Sequence, residues 1–213
     1  TTKTLTYSSG VLTTATQTFT LTYGSATQVA KSTPASGFVN NAAFTTQPVI
    51  RVQDQDGNTV TTGAAADAAI TMGVDSGTAL VANSITATVG RANFQNATSG
   101  QKLGISGLIG TKTITYTLQN TAISTNESIA VVAGTATKLA VSRAGAGAVN
   151  GVNWTTQPKV LVQDASGNTV TSATNSITAS VTGPTLAGVT SVDAVAGETT
   201  FTNLKLTGTV GTD

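Results

Sequence analysis

Short runs in which apolar residues alternate with Thr, Ser or Gln recur along the whole chain, and no window carries an apolar stripe at helical spacing. Thr4-Leu-Thr-Tyr7 alternates, the Ser8-Ser-Gly10 stretch reads as a turn, and Thr16 to Tyr23 alternates again. In that second run Phe19 and Leu21 share one face, with Thr18, Thr20 and Thr22 on the other. Further strands are expected at 27–31, from Pro48 onward, and at 69–74, 84–89, 92–97, 112–118, 128–132, 137–142, 176–181 and 197–203. Gly and Asn separate them at intervals of about ten residues, the spacing of an all-β sandwich.

One stretch sets the scale of the rest. Phe44-Thr-Thr-Gln-Pro-Val-Ile-Arg-Val-Gln-Asp-Gln-Asp-Gly-Asn-Thr-Val60 returns as Trp154-Thr-Thr-Gln-Pro-Lys-Val-Leu-Val-Gln-Asp-Ala-Ser-Gly-Asn-Thr-Val170, a spacing of 110 residues. A period of that size is a whole sandwich and not a solenoid repeat. Ile50 and Val52 correspond to Val160 and Val162, whereas Val49 and Arg51 correspond to Lys159 and Leu161. The face with Arg51 and Lys159 is therefore expected outside and the Ile50/Val52 face inside. Asp54-Gln-Asp-Gly-Asn58 reads as a tight turn.

The repeat also divides the chain. Gly24 corresponds to Gly134, so 24–133 is expected to be one complete domain and 134–213 a second. The second copy stops where the first continues through Lys112-Thr-Ile-Thr-Tyr116 and a further strand, so it lacks the last two strands. Lys3-Thr-Leu-Thr-Tyr7 matches Lys112-Thr-Ile-Thr-Tyr116, which makes 1–23 the closing hairpin of a neighbouring or preceding domain. Leu5, Tyr7, Phe19, Leu21 and Tyr23 are the candidate assembly contacts. A lone hairpin is marginal in water, so it is expected to join another sheet.

Composition narrows the chemistry. Ten Lys and Arg stand against nine Asp and Glu, a net charge of +1, which leaves no footprint for nucleic acid. Only 9% of the residues are charged, far below the roughly 25% of an ordinary soluble domain. The chain has no His and no Cys. Disulfides, thiol nucleophiles, His bases and nearly all zinc sites are thereby excluded, and an enzyme is not expected. No apolar run approaches the ~20 residues of a membrane helix, so no direct membrane insertion is expected and the chain reads as a mature or excised soluble piece.

The pattern Thr137-Lys-Leu-Ala-Val141, Thr155-Thr-Gln-Pro158, Val162 to Val170 and Gly197-Glu-Thr-Thr-Phe201 resembles the bacterial immunoglobulin-like repeats of invasin-type adhesins and other large surface proteins. That resemblance covers most of both copies. It implies two tandem immunoglobulin-like β-sandwich domains serving as stalk or spacer, with no catalytic residues and no cofactor.

The remaining candidates are few. Asp54, Asp56 and Asn58 look like the start of a calcium loop, but Asp164-Ala-Ser-Gly-Asn168 lacks the middle carboxylate and the turn explains both copies. Asn96, Asn126 and Asn153 head glycosylation triplets, which makes glycans candidate partners. Lys31, Asn126 and Glu127 have the residue types of a Lys–Asn cross-link, although neighbours on a strand face opposite ways. Phe44 and Trp154, at one repeat position, read as core or interdomain anchors. The expected function is a structural repeat of an extracellular, cell-surface prokaryotic protein, in a filament, stalk or surface layer. Its copies would join head to tail by strand complementation of residues 1–23 into the 134–213 domain of the next copy. The alternative is an adhesin module gripping carbohydrate or a host protein through loops, with the 97–110 segment of the first copy as the place to look.

Overall fold

The computed structural model describes residues 1–80, 84–96 and 102–209. Strands β1 (Thr2–Ser9) and β2 (Leu12–Thr20) pair antiparallel in a two-stranded sheet of their own. Directly opposed residues share a face, so the register Lys3 to Phe19, Leu5 to Gln17 and Tyr7 to Ala15 collects the apolar side chains on one side. Thr2, Thr4, Thr6, Thr16, Thr18 and Thr20 form the other side.

The first repeat unit follows as β3 (Gln28–Thr33), β4 (Ala42–Ala43), β5 (Val49–Gln53), β6 (Ala69–Val74), β7 (Thr78–Ala79), β8 (Ser84–Thr86), β9 (Arg91–Asn93), β10 (Gly104–Ser106), β11 (Gly110–Leu118) and β12 (Ser124–Val131). The β3-β5-β9 sheet faces the β12-β11-β6-β8 sheet, and a small β4-β10-β7 sheet closes one side. Ile50 and Val52 from the first sheet meet Ile70, Met72, Ile114, Tyr116 and Leu118 from the second in one continuous core. The ladders between named strands are antiparallel, giving the all-β sandwich that alternation predicts.

The second unit contains β13 (Lys138–Arg143), β14 (Lys159–Gln163), β15 (Ser176–Thr178), β16 (Thr185–Val189), β17 (Ser191–Asp193), β18 (Glu198–Thr200) and β19 (Thr202–Thr207). Its β13-β14-β18 sheet repeats β3-β5-β9, but among the described residues β15 pairs only with β17 where β6 has both β8 and β11. A smaller core collects Val162, Val170, Ile177, Phe201 and Leu204, separate from the first.

Several local expectations are corrected. Val49 is buried, although the alternation puts it outside with the exposed Arg51. It opens β5 where the Phe94 N–H bonds to the Pro48 carbonyl and Gln95 reaches the Gln47 carbonyl, so the crossing chain covers that end. The strand expected at 92–97 is a three-residue strand followed by a 3-10 turn at Phe94–Asn96, and residue 97 lies outside the described residues. The strands β16 and β17 were not expected; their residues mix Gly, Ala, Ser and Asp and give no clear alternation.

Candidate functional site

The turn after β5 and its counterpart after β14 share one local construction. One carboxylate oxygen of Asp54 accepts the N–H groups of Asp56 (3.1 Å) and Asn58 (2.8 Å), which closes the turn, and Gly57 takes a φ of 83° there. Its other oxygen accepts the Gly24 N–H at 2.8 Å. Asp164 does the same with Ser166, Asn168 and Gly134. With these N–H donors, and with Asn58 Nδ2 reaching both oxygens of Asp54, the carboxylate is used by the turn and the chain entering the unit. Among the described residues no three acidic side chains gather at one place.

The surroundings of the two turns differ. Asp164 lies at the junction between the units, where the Asn40 side chain of the first unit donates to Asp164 Oδ2 at 2.7 Å. Asn40 Oδ1 accepts the Gly107 N–H at 2.9 Å, so the carboxamide is fixed at both ends. Asn168 donates to the Gly107 carbonyl (2.9 Å) and accepts the Ile109 N–H (3.0 Å). Backbone pairing adds the Asn40 N–H to the Val132 carbonyl and the Val132 N–H to the Phe38 carbonyl. Asn40, Asp164 and Asn168 are all buried, and a β-carbon on Gly134 would sit 2.4 Å from the Asn40 carbonyl oxygen. Burial alone raises the Asp164 pKa. The bonds from Asn168, Gly134 and Asn40 outweigh it and hold the carboxyl well below the usual carboxylate range.

Among the described residues the first turn has no such neighbour. Asn58 is exposed, and a β-carbon on Gly24 would meet only Asp54, in ordinary van der Waals contact at 3.6 Å. At the far end of the second unit the complementary half is present: Asn150, the counterpart of Asn40, accepts the Gly208 N–H at 3.0 Å as Asn40 accepts that of Gly107. Asn150 is exposed, and its Nδ2 has no acceptor among the described residues.

The hairpin and the second unit form another such pair. Every residue of β1 and β2 is exposed, including Leu5 and Phe19 at 46% each. Leu21 is exposed as well, while Tyr23 packs against the first core and bonds to Thr62. The matching β11–β12 hairpin has the same register, Lys112 opposite Ile129, Ile114 opposite Glu127 and Tyr116 opposite Thr125. There Ile114, Tyr116, Leu118, Ile129 and Val131 are buried core residues. The second unit has an open apolar cleft at the same place, ≈ 250 Å³, lined by Leu139, Val141, Val160, Ile177, Ala179 and Phe201. Leu139 is 54% exposed, whereas Val29, at its position in the first unit, is 5% exposed.

The other sequence candidates fall as follows. Lys31 bonds to the Asn126 main-chain carbonyl at 2.6 Å and pairs with Glu127 at 3.6 Å, while Tyr116 donates to Glu127 at 2.8 Å. This ties β3 to β12 as an ion pair. Asn96, Asn126 and Asn153 are all exposed, and Asn153 bonds to Asn203 at 3.3 Å. Phe44 is buried against Phe38, edge to face at 5.0 Å. Trp154 packs on the second core with Nε1 buried and without a hydrogen-bond partner among the described residues. The described part of the 97–110 segment, 102–110, has a counterpart in the second unit: Leu103 N–H bonds to Gln47 Oε1 as Leu204 N–H bonds to Gln157 Oε1, so β10 corresponds to β19. Residues 97–101 lie outside the described residues.

Fold and site together define an all-β protein of antiparallel sandwich type with repeated units, an exposed hairpin and an open sheet face. No family model and no curated protein matches the chain. Among solved structures it is similar to domains 4 and 5 of the S-layer protein SbsC, at 15% identity over 85% of this chain and 86% of that one, with a TM-score of 0.29. The β-glucuronidase of Parabacteroides merdae is similar at 14% identity over 77% of this chain, with a TM-score of 0.24, and the match spans 20% of that enzyme. Scores of this size carry no argument about function. Among the described residues no helix is long and apolar enough to cross a membrane.

Proposed function

We propose that the chain is a structural repeat of an extracellular prokaryotic surface protein, built from immunoglobulin-like domains at 24–133 and 134–213. Its copies join head to tail when the β1–β2 hairpin of one completes the second domain of another. The observation that carries this reading is the mismatch just described: among the described residues an apolar hairpin face has no cover and an apolar cleft of the same fold position has no lid. Strand addition supplies the open β15 edge with main-chain partners, while Leu5, Tyr7 and Phe19 take the places of Ile114, Tyr116 and Ile129. The same contact serves whether copies follow one another in one polypeptide or meet as separate chains. A heterologous contact of this kind does not close on itself and propagates a fibre. The resemblance to adhesin repeats and the low share of charged residues support a place at the cell surface.

The register of β11 on β6, with Thr115 opposite Gly73, places Thr6 of the hairpin opposite Ser180 of the receiving domain. The chain has no cysteine, so the double variant Thr6→Cys/Ser180→Cys reports this pairing cleanly. Oxidation is expected to give a ladder of linked chains on a non-reducing gel. If only the dimers formed by the single variants appear, the pairing does not exist.

A further inference from the structure

We propose that a second contact forms between copies: the Gly24–Asp54–Asn58 surface of one copy receives the Asn150–Gly208 end of another through the polar latch that joins the two units within the chain. This rests on the head-to-tail reading above and adds the surface on which the joined units abut.

The internal junction is the template. Asn40 bridges the Gly107 N–H and Asp164, and Asn168 bridges the Gly107 carbonyl and the Ile109 N–H. The two free ends carry each half already shaped. Asp54 is locked by its own turn with an oxygen on Gly24 N–H, as Asp164 is on Gly134 N–H. Asn150 is held through Oδ1 by Gly208 at an exposed position, and its Nδ2 has no acceptor among the described residues, where Asn40 gives its Nδ2 to Asp164. A preorganised donor and a preorganised anionic acceptor lose little freedom on meeting, and hydrogen bonds to charged acceptors are the stronger kind.

Gly24 is the independent witness. Gly134 must be glycine because the Asn40 carbonyl lies where its β-carbon would be. Among the described residues nothing asks the same of Gly24. Its φ is not positive, and a β-carbon would make only ordinary contact with Asp54. A carbonyl from Asn150 of another copy, placed as Asn40 is on Gly134, supplies the missing reason. The occupant is therefore a second copy of this chain, and its apolar counterpart beside the latch is the shallow cleft of Val149, Pro184 and Leu206.

The test is self-association of the full chain by sedimentation velocity, with Gly24→Ala, Asn150→Ala and the hairpin variant Leu5→Asp. Wild type is expected to associate and Leu5→Asp to abolish association. Gly24→Ala and Asn150→Ala are expected to raise the dissociation constant roughly tenfold or more, with thermal melting of the dilute chain unchanged in Gly24→Ala and lowered in Asn150→Ala by no more than the loss of its exposed bond to Gly208. If Leu5→Asp abolishes association while both latch variants associate like wild type, the latch is wrong and hairpin complementation stands. A wild-type chain that stays monomeric overturns both. Asn150→Ala, an exposed position remote from the hairpin, keeps the test decisive should Gly24→Ala perturb folding.

Discussion

The hairpins β1–β2 and β11–β12 have the same register and nearly the same first strand, yet one is wholly exposed and the other supplies five residues to a core. Their alternation is equal, so alternation specifies a face that can be buried and not the partner that buries it. Burial at Ile114 comes from β3 and β5 lying across the sandwich, with β6 beside it in the same sheet; at Leu5 nothing among the described residues lies across. The largest test of that difference is truncation at matched positions. Ile114→Ala is expected to destabilise the chain by about 2–5 kcal/mol, through lost transfer energy and a residual cavity. Leu5→Ala in dilute, monomeric protein is expected to change stability by less than about 0.5 kcal/mol. Chemical denaturation reads both, and a Leu5→Ala loss comparable to that of Ile114→Ala would show that the hairpin is already packed.

The two glycines before the paired turns sharpen the comparison at a finer scale. Gly134→Ala drives a methyl group into the Asn40 carbonyl, and the neighbouring units must part to admit it; a loss of about 1–3 kcal/mol is expected. Gly24→Ala in the monomer is expected to stay within about 0.5 kcal/mol of wild type. Equal losses at the two sites would mean that Gly24 serves its own unit and not a neighbour.

Acid extends the same contrast to the carboxylates. Asp164 has a folded pKa held below its unfolded value, so its contribution to stability is full above the unfolded pKa, near ~3.9, and is lost as pH falls through the lower folded value. Asp54 shifts in the same direction, with the Gly24 N–H as the first cause and Asn58 next. Asp164 additionally holds Asn40, so acidification below about pH 4 is expected to expose the junction before either core melts. Amide exchange at Gly107 and Ile109 measures this: protection that persists until global unfolding would overturn it.

Much of the sandwich was legible because strand alternation and the spacing of Asp54 and Asp164 are local or periodic signals. Ile50 and Val52 were placed inside correctly by comparing the two copies. Val49 was not, because its cover comes from the Phe94–Asn96 turn, more than forty residues away. The latch residues were overlooked for a similar reason. Asn40 and Asn150 stand in Gly37-Phe-Val-Asn40 and Gly147-Ala-Val-Asn150, a repeated pattern that reads as a loop until Asp164 is seen beside it. The Asp-to-Asn turn was recognised as structure, but its second use as a junction depends on what the chain brings against it.

The smallest expected effect concerns the paired aromatics, where the units reach similar packing by different residues. In the first unit Ala35, Phe38 and Phe44 are grouped; at the same positions the second has Gly145, Ala148 and Trp154. The one large indole stands where two phenyl rings meet, and Gly145 is forced to be glycine because a β-carbon would lie 2.6 Å from the Trp154 ring. Trp154→Phe removes apolar area but also removes a buried N–H with no partner among the described residues, and an unsatisfied buried donor costs about 1–3 kcal/mol. The two terms oppose, so the net change is expected to be below about 1 kcal/mol, against about 3–5 kcal/mol for Phe44→Ala. Adding Ala148→Phe to Trp154→Phe rebuilds the edge-to-face pair and is expected to recover the difference. If thermal denaturation shows the double variant to be worse than the single one, the two units do not share a packing plan at this position.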